Sequence, residues 1–386
     1  MPATKISLRF VTPVLMSFFV MSFCDLVGIG VDRVKLDFSL SNTLAQLIPS
    51  AVFLWFFILS VPVGILQDRL GKRKVLNLGM LITAAGLFVP FIYYSFLSAL
   101  LAFTLLGIGN TIVQVSANPL LVDVVPAARR SSFLSLSQFI KAVGSMIAPP
   151  LAGWTAAQFG DWKLIFITFG VVSLLSVFWL SLTPVKEAKM SDQHATFSSS
   201  FRLLMNRYIL LMVAGIFLLV GIDVGINAFS GQYFLTKFFS DRMLAESARS
   251  IYFLGKMLGT FGGALMLTVL PSRKFFLWSA VTGVLSILLL LIAPSDKIAI
   301  VIVFIVGMGI ANIFPLIFSL TVEKYPLRAN EISGLMIMAV SGGAVLPPLM
   351  GFLSDVAGNV TWGMLLLLLS AVYLLFISLF NQKPKS

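Results

Sequence analysis

Long apolar runs recur along the whole of this 386-residue chain, and each is close to the length of one membrane crossing. A membrane-spanning helix needs about 20 mostly apolar residues. Applied along the sequence, this length predicts twelve spans, at residues 10–31, 45–66, 74–94, 97–121, 132–156, 163–184, 208–236, 245–270, 275–293, 298–322, 331–355 and 362–380. The sequence therefore predicts an all-α membrane protein with twelve transmembrane helices.

The composition agrees with this prediction and excludes a soluble protein. Charged residues make up 11% of the chain, against about 25% in soluble proteins, and the mean hydropathy is +1.01. A net charge of +12 is also found in nucleic-acid-binding proteins. Here, however, the cations lie in short loops between apolar runs, where the positive-inside rule accounts for them. We therefore expect no nucleic-acid partner.

Reactive side chains are too few for an enzyme. One cysteine, Cys24, and one histidine, His194, leave no disulfide framework, no zinc site and no Ser-His or Cys-His pair. We therefore expect no enzymatic activity, no metal and no cofactor. With both termini placed in the cytoplasm, most Lys and Arg residues fall on the cytoplasmic side, which predicts this orientation for a multi-pass protein of the inner (cytoplasmic) membrane. We expect the protein to be a monomer.

A polar segment divides the chain into two halves of six spans. Residues 183–207 are predicted to be a cytoplasmic linker between an N-terminal bundle, 1–182, and a C-terminal bundle, 208–386. An internal repeat supports this division, because the segment GSMIAPPLAG that starts at Gly144 matches GGAVLPPLMG 198 positions later. Two parallel repeats predict a symmetry axis along the membrane normal, with a ligand site at mid-depth between them.

A dense polar hinge separates the second and third spans and reads GILQDRLGKRK over residues 64–74. Gly64 permits close helix approach, Asp68 attracts helix N-termini, and Gly71 supports a left-handed turn. The cations of the hinge are expected to hold it on the cytoplasmic side; they are Arg69, Lys72, Arg73 and Lys74.

The hinge resembles the loop between the second and third helices of the major facilitator superfamily, a family of membrane transporters. This resemblance implies a conformational gate at Gly64, Asp68, Arg69, Gly71, Lys72 and Arg73. Five other stretches resemble the fucose:proton symporter branch of sugar transporters, namely residues 38–42, 116–119, 137–139, 314–320 and 351–359. The resemblance implies two bundles of six helices and a proton-coupled symporter that imports a monosaccharide or sugar derivative by alternating access.

Four ionisable residues lie in the middle of predicted spans: Asp25, Lys141, Asp223 and Lys256. A charged residue at the centre of a membrane helix costs about 2.5 to 3.5 kcal/mol, so such residues are expected to serve function or to pair. A carboxylate in apolar surroundings can take up a proton at one face and release it at the other, which makes Asp25 and Asp223 candidates for proton coupling. Substrate contact is a second candidate role for Asp223. The alternative is structural pairing of Asp25 with Lys141 and of Asp223 with Lys256.

The chain departs from the fucose symporter pattern at that family's own carboxylates. These match Gly28 and Gln114 here, and Lys141 stands where the family has a sugar-binding asparagine. The substrate therefore stays open between a neutral sugar and an acidic sugar or other organic anion bound through Lys141 and Lys256. A proton-driven efflux antiporter is the remaining alternative.

Amide side chains are the main candidates for sugar binding. Asn110, Gln114 and Asn118 are spaced by four residues and share one face of the fourth span. Amides can meet hydroxyls as both donor and acceptor, although hydrogen bonding between helices is an alternative role. The predicted substrate-binding residues are Asn110, Gln114, Asn118, Gln138, Lys141, Asn227, Lys256 and Asn312. Sugar, protons and the lipid bilayer are the predicted partners.

Overall fold

The computed structural model of the chain describes residues 7–40, 47–185, 187, 196–240 and 242–381. Within these residues all regular structure is helical. Part of the predicted linker, including His194, lies outside the described residues.

Twelve helical stretches follow the twelve predicted spans, and a short helix precedes the seventh. In chain order the helices are α1 (Leu8–Met21), α2 (Leu26–Asp37), α3 (Leu47–Leu70), α4 (Lys72–Ile92), α5 (Phe96–Val124), α6 (Arg130–Phe159), α7 (Leu164–Leu182), α8 (Phe197–Arg202), α9 (Arg207–Lys237), α10 (Arg242–Met266), α11 (Ser272–Ile292), α12 (Asp296–Ile310), α13 (Ile313–Lys324), α14 (Ala329–Met338), α15 (Gly342–Ala357) and α16 (Val360–Phe380). Within the part of the chain that the structure describes, ten stretches are long and apolar enough to cross a membrane. The other two, α6 and α10, contain Lys141 and Lys256.

Three of the stretches are interrupted. A 3-10 turn, Ser22–Asp25, joins α1 to α2, and another, Ala339–Ser341, joins α14 to α15. The pair α12 and α13 is separated at Ala311 and Asn312. The predicted spans at 10–31, 298–322 and 331–355 are therefore found in place but are not continuous α-helices. Such breaks change the hydrogen bonding of the backbone and are common at functional sites.

Contacts within the chain group it into two compact units. Unit one comprises residues 1–130, 140–202 and 325–338, and unit two comprises 131–139, 203–324 and 339–386. The division at residues 183–207 stays a prediction. In unit one, α5 packs against α3 and α4, and α14 packs on α3. In unit two, α10 packs on α12, and α9 packs on α15 and α16.

The carboxylate of Asp37 connects the ends of three helices in unit one through hydrogen bonds. Asp37, at the end of α2, accepts hydrogen bonds from Tyr94 Oη at 2.6 Å and from Trp162 Nε1 at 3.0 Å. Burial and the bond to Asp37 raise the pKa of the Tyr94 hydroxyl, so it remains a donor at neutral pH. The end of α2 is thereby fixed to the turns that precede α5 and α7.

Candidate functional site

The predicted gate lies in a corner of unit one where α3 turns into α4. Gly71 has a φ of 89°, which confirms the need for glycine at this turn. Asp68 is buried and accepts a hydrogen bond from Asn330 Nδ2 at 3.1 Å, while Gln67 Nε2 donates to the Asn330 carbonyl at 3.3 Å. Two consecutive side chains of α3 therefore bind the first turn of α14.

Gly64 allows α3 to lie directly against α14. A Cβ atom at Gly64 would lie 2.9 Å from the carbonyl oxygen of Asn330 and 3.3 Å from the Cα of Gly334. Because both are backbone atoms, we expect Gly64→Ala to push the helices apart and to lower the stability of the protein by about 1 to 3 kcal/mol. Thermal unfolding of the purified protein in detergent measures this effect.

Gly153→Ala is the matched control for Gly64→Ala. Both glycines lie inside helices, but a Cβ at Gly153 would meet no atom within 4 Å. Alanine is also the better helix former, so this variant should unfold at or above the wild-type temperature. Equal melting temperatures for the two variants would contradict the close approach at Gly64.

The cations of the hinge have different surroundings. Arg69 is exposed, whereas Lys72 is 4% exposed and its Nζ forms an ion pair with Asp123 Oδ2 at 2.6 Å. The carboxylate of Glu187 accepts from the backbone N–H of Lys72 at 2.7 Å and of Arg73 at 3.2 Å. Glu187 therefore places a negative charge at the N-terminus of α4, where it stabilises the helix dipole.

Asp25 stands at the end of the 3-10 turn of unit one and is exposed. Its carboxylate accepts a hydrogen bond from the hydroxyl of Ser145 on α6. The same hydroxyl lies 3.1 Å from the carbonyl oxygen of Lys141. Among the described residues no salt bridge joins Asp25 to Lys141, so the permanent ion pair considered from the sequence is not formed here. Sequence reasoning missed Ser145, since a serine in a helix gives no signal of its own.

The amide side chains of α5 form a continuous chain of hydrogen bonds in unit one. Asn110 Nδ2 donates to the carbonyl of Met21 at 2.7 Å, immediately before the turn that carries Asp25. Gln114 Nε2 donates to Asn110 Oδ1 at 2.8 Å, and Asn118 Nδ2 donates to the Gln114 carbonyl at 2.9 Å. All three are buried, so their observed contacts are those of helix packing, and substrate contact by them stays a prediction.

In unit two, Asp223 on α9 is bound by two side chains of α10. Lys256 Nζ lies 2.5 Å from Asp223 Oδ2, and Tyr252 Oη donates to Asp223 Oδ1 at 2.6 Å. The pairing of Asp223 with Lys256, which the sequence offered as an alternative role, is therefore present. Tyr252 was missed, and the available signal was its spacing of four residues from Lys256, which places both on one helix face.

The remaining predicted residues are divided between the two units. Gln138 and Lys141 are part-buried on α6, and Lys141 has no ion pair within the described residues. Asn312 Nδ2 donates to the Gly259 carbonyl at 2.8 Å, at the break between α12 and α13. Asn227 lies one turn beyond Asp223, and its side-chain oxygen meets no donor in the described part of the chain. Unit one thus gathers Asp25 with the amides of α5, and unit two gathers Asp223 with Asn227 and Lys256.

Comparisons with known proteins agree with this architecture. The family model described as Major Facilitator Superfamily matches residues 14–346. A glucose/galactose transporter of Brucella abortus is 26% identical over 401 residues, covering 96% of this chain and 94% of its own. The L-fucose-proton symporter of Escherichia coli K12 is 24% identical over 363 residues, covering 84% and 81%. A crystal structure of the E. coli fucose:proton symporter superposes with a TM-score of 0.82 at 20% identity, covering 97% and 98%.

Proposed function

Because the chain belongs to the major facilitator superfamily of membrane transporters, we propose that it is a proton-coupled symporter that imports a monosaccharide or sugar derivative by alternating access. The chain is a multi-pass membrane protein and a transporter, not an enzyme. Two relatives whose names specify sugars, a glucose/galactose transporter and an L-fucose-proton symporter, support the substrate class. The position and surroundings of Asp25 are the observation that supports proton coupling.

Asp25 has the properties that a coupling carboxylate needs. It is exposed, it stands at a break between α1 and α2, and one hydroxyl holds it instead of a cation. When a proton neutralises Asp25, the Ser145 hydroxyl can turn to the Lys141 carbonyl, which is already within 3.1 Å. The Ser145 hydroxyl therefore has a hydrogen-bond acceptor whether or not Asp25 carries a proton. The carboxylate can alternate between its protonated and its charged state. Release of the proton in the cytoplasm restores the bond to Ser145.

Lys141 favours an acidic sugar or other organic anion as a second candidate substrate class. Lys141 is part-buried and has no carboxylate partner in the described residues. Once a proton neutralises Asp25, the Lys141 ammonium would be available to attract a substrate carboxylate. Proton and anion would then cross together without net charge.

We assign the protein to the inner (cytoplasmic) membrane, with both termini in the cytoplasm, because its cations favour the loops on that side. Import then moves the sugar from the outside to the cytoplasm, in the direction of the inward proton gradient. The partners are the sugar, the proton and the surrounding lipid, and we propose that the protein acts as a monomer.

Uptake into proteoliposomes tests this function. Radiolabelled hexoses, a deoxyhexose and a hexuronate are offered with and without an inward proton gradient. We expect accumulation above equilibrium only with the gradient, and its loss when a protonophore is added. Accumulation driven by an outward gradient would indicate efflux by antiport instead, and gradient-independent equilibration would indicate a uniporter.

A further inference from the structure

We propose that Asp223, Lys256 and Tyr252 form a preassembled subsite in unit two that binds neighbouring hydroxyls of an uncharged sugar ring. The inference rests on the proposed sugar transport and adds the chemical class that this subsite accepts. Asp223 and Lys256 supply the groups that contact the hydroxyls, and Tyr252 is a positioning residue for the carboxylate.

Two donors from one face of α10 hold both oxygens of a single carboxylate. Lys256 Nζ binds Oδ2 of Asp223 at 2.5 Å, and Tyr252 Oη binds Oδ1 at 2.6 Å. Tyr252 is fully buried, so packing against its neighbours fixes the orientation of its ring. The carboxylate therefore has a fixed orientation before a ligand arrives, which reduces the entropy lost on binding.

The charge of Lys256 is already balanced, which argues against an anion receptor. A ligand carboxylate that approached this ammonium would compete with Asp223 and would place two negative charges side by side. Like charges in poorly solvated surroundings disfavour each other strongly. A neutral ligand meets no such repulsion, so the pair selects for uncharged groups.

Hydroxyls match the hydrogen bonds that the pair can still form. The side chains of Lys256 and Asp223 keep 30% and 25% of their surface exposed. An ammonium and a carboxylate both have more hydrogen-bonding positions than their mutual contact uses. One sugar hydroxyl can accept from Lys256 while its neighbour donates to Asp223, and hydrogen bonds to charged partners are the stronger kind.

Asn227 adds an independent indication of a ligand on the same helix face. It lies four residues after Asp223, and its side-chain oxygen has no hydrogen-bond donor in the described part of the chain. A buried acceptor without a donor is costly, and a further sugar hydroxyl would satisfy it. The subsite thus offers two acceptors along one turn of α9 and a donor, Lys256, from α10.

The charge-neutral double variant Asp223→Asn/Lys256→Gln tests the subsite without leaving a lone buried charge. Counterflow exchange in proteoliposomes, which needs no proton gradient, is measured for the best wild-type hexose and its monodeoxy analogues. We expect the half-saturating concentration to rise about 10- to 100-fold with maximal exchange retained, because hydrogen bonds to charged groups are lost. One monodeoxy analogue should lose no further affinity in this variant, since it lacks the hydroxyl that the pair binds.

Tyr252→Phe tests the positioning role. It should raise the half-saturating concentration about three- to tenfold and leave maximal exchange unchanged, because the carboxylate loses a hydrogen bond that orients it. Tyr373→Phe is the matched control, since it removes a tyrosine hydroxyl of unit two that donates to the Leu211 carbonyl at 3.1 Å. The control should retain the wild-type half-saturating concentration.

The outcomes separate the subsite from the transport function. Unchanged hexose affinity and an unchanged monodeoxy profile in the double variant would overturn the subsite alone. Selective loss of hexuronate competition, with hexose exchange intact, would identify Lys256 as an anion receptor and also overturn it. A wild-type protein that exchanges no sugar would refute the transport function and the subsite with it.

Discussion

Replacing Asp25 with asparagine should abolish uphill sugar accumulation and leave sugar exchange in place. Asparagine keeps the size of the side chain and an oxygen that the Ser145 hydroxyl can bind, but it does not ionise. In proteoliposomes with an inward proton gradient, the wild type can approach about tenfold accumulation per pH unit for one coupled proton. The Asp25→Asn variant should reach only equilibrium.

Two measurements make this result specific to coupling. Counterflow in the same vesicles should stay near the wild-type rate, which shows that the variant is folded and binds sugar. Ser145→Ala keeps the carboxylate of Asp25 and removes its donor, so it should still accumulate sugar. Undiminished accumulation by Asp25→Asn would remove Asp25 from the mechanism. Loss of counterflow in a folded variant would place Asp25 in sugar binding instead.

The structure distinguishes Asp25 from its repeat-related equivalent. Asp25 and Asp223 stand 198 positions apart, the same offset that relates Gly144 to Gly342. Asp223 is held by a cation and a tyrosine hydroxyl. Asp25 is held by one serine hydroxyl and is exposed. Of the two equivalent carboxylates, Asp25 is therefore the one that has no cationic partner within the described residues.

The sequence predicts the helices well because each apolar run is long and is ended by polar residues. It does not predict where a helix is interrupted. The 3-10 turn at Ser22–Asp25 contains no proline or glycine, and it is bound from outside by Asn110 through the Met21 carbonyl. That contact joins residues 89 positions apart, so no local pattern reveals it.

The residues of the candidate site also include some that the sequence predicts and some that it does not. A charged residue within an apolar run is conspicuous, so the sequence identifies the four ionisable residues in the middle of spans. Of the two ion pairs considered from the sequence, the pair of Asp223 with Lys256 is present. Their other partners are ordinary residues that gain a role only through tertiary contact. Ser145 and Tyr252 look like typical helix residues. Glu187, which binds the N-terminus of α4, was hidden in the same way, because it lies in a segment that reads as a polar linker. The burial of Lys72 was equally hidden, because its neighbours in sequence are other cations.

Replacing Lys72 with methionine should cause the largest loss of stability among single substitutions in the hinge. Its ammonium and the Asp123 carboxylate lie 2.6 Å apart, and their side chains are only 5% and 6% exposed. Removing one member of a buried ion pair costs about 3 to 5 kcal/mol, because the other charge loses this partner in poorly solvated surroundings. Thermal unfolding in detergent should show a much lower melting temperature for Lys72→Met than for the wild type.

A double-mutant cycle shows whether the pair itself is responsible. The variant Lys72→Met/Asp123→Leu removes both charges and should recover most of the lost melting temperature, since apolar replacements of buried pairs are often neutral. Glu187→Gln serves as the control at the same corner, because it removes the charge and keeps only one of the two oxygens that accept from the backbone N–H groups of α4, so it should cost about 1 to 2 kcal/mol. Additive losses in the double variant would mean that Lys72 and Asp123 stabilise unit one separately. Recovery would show that Lys72 joins α4 to α5 through a buried ion pair, in addition to its role as a cytoplasmic topology signal.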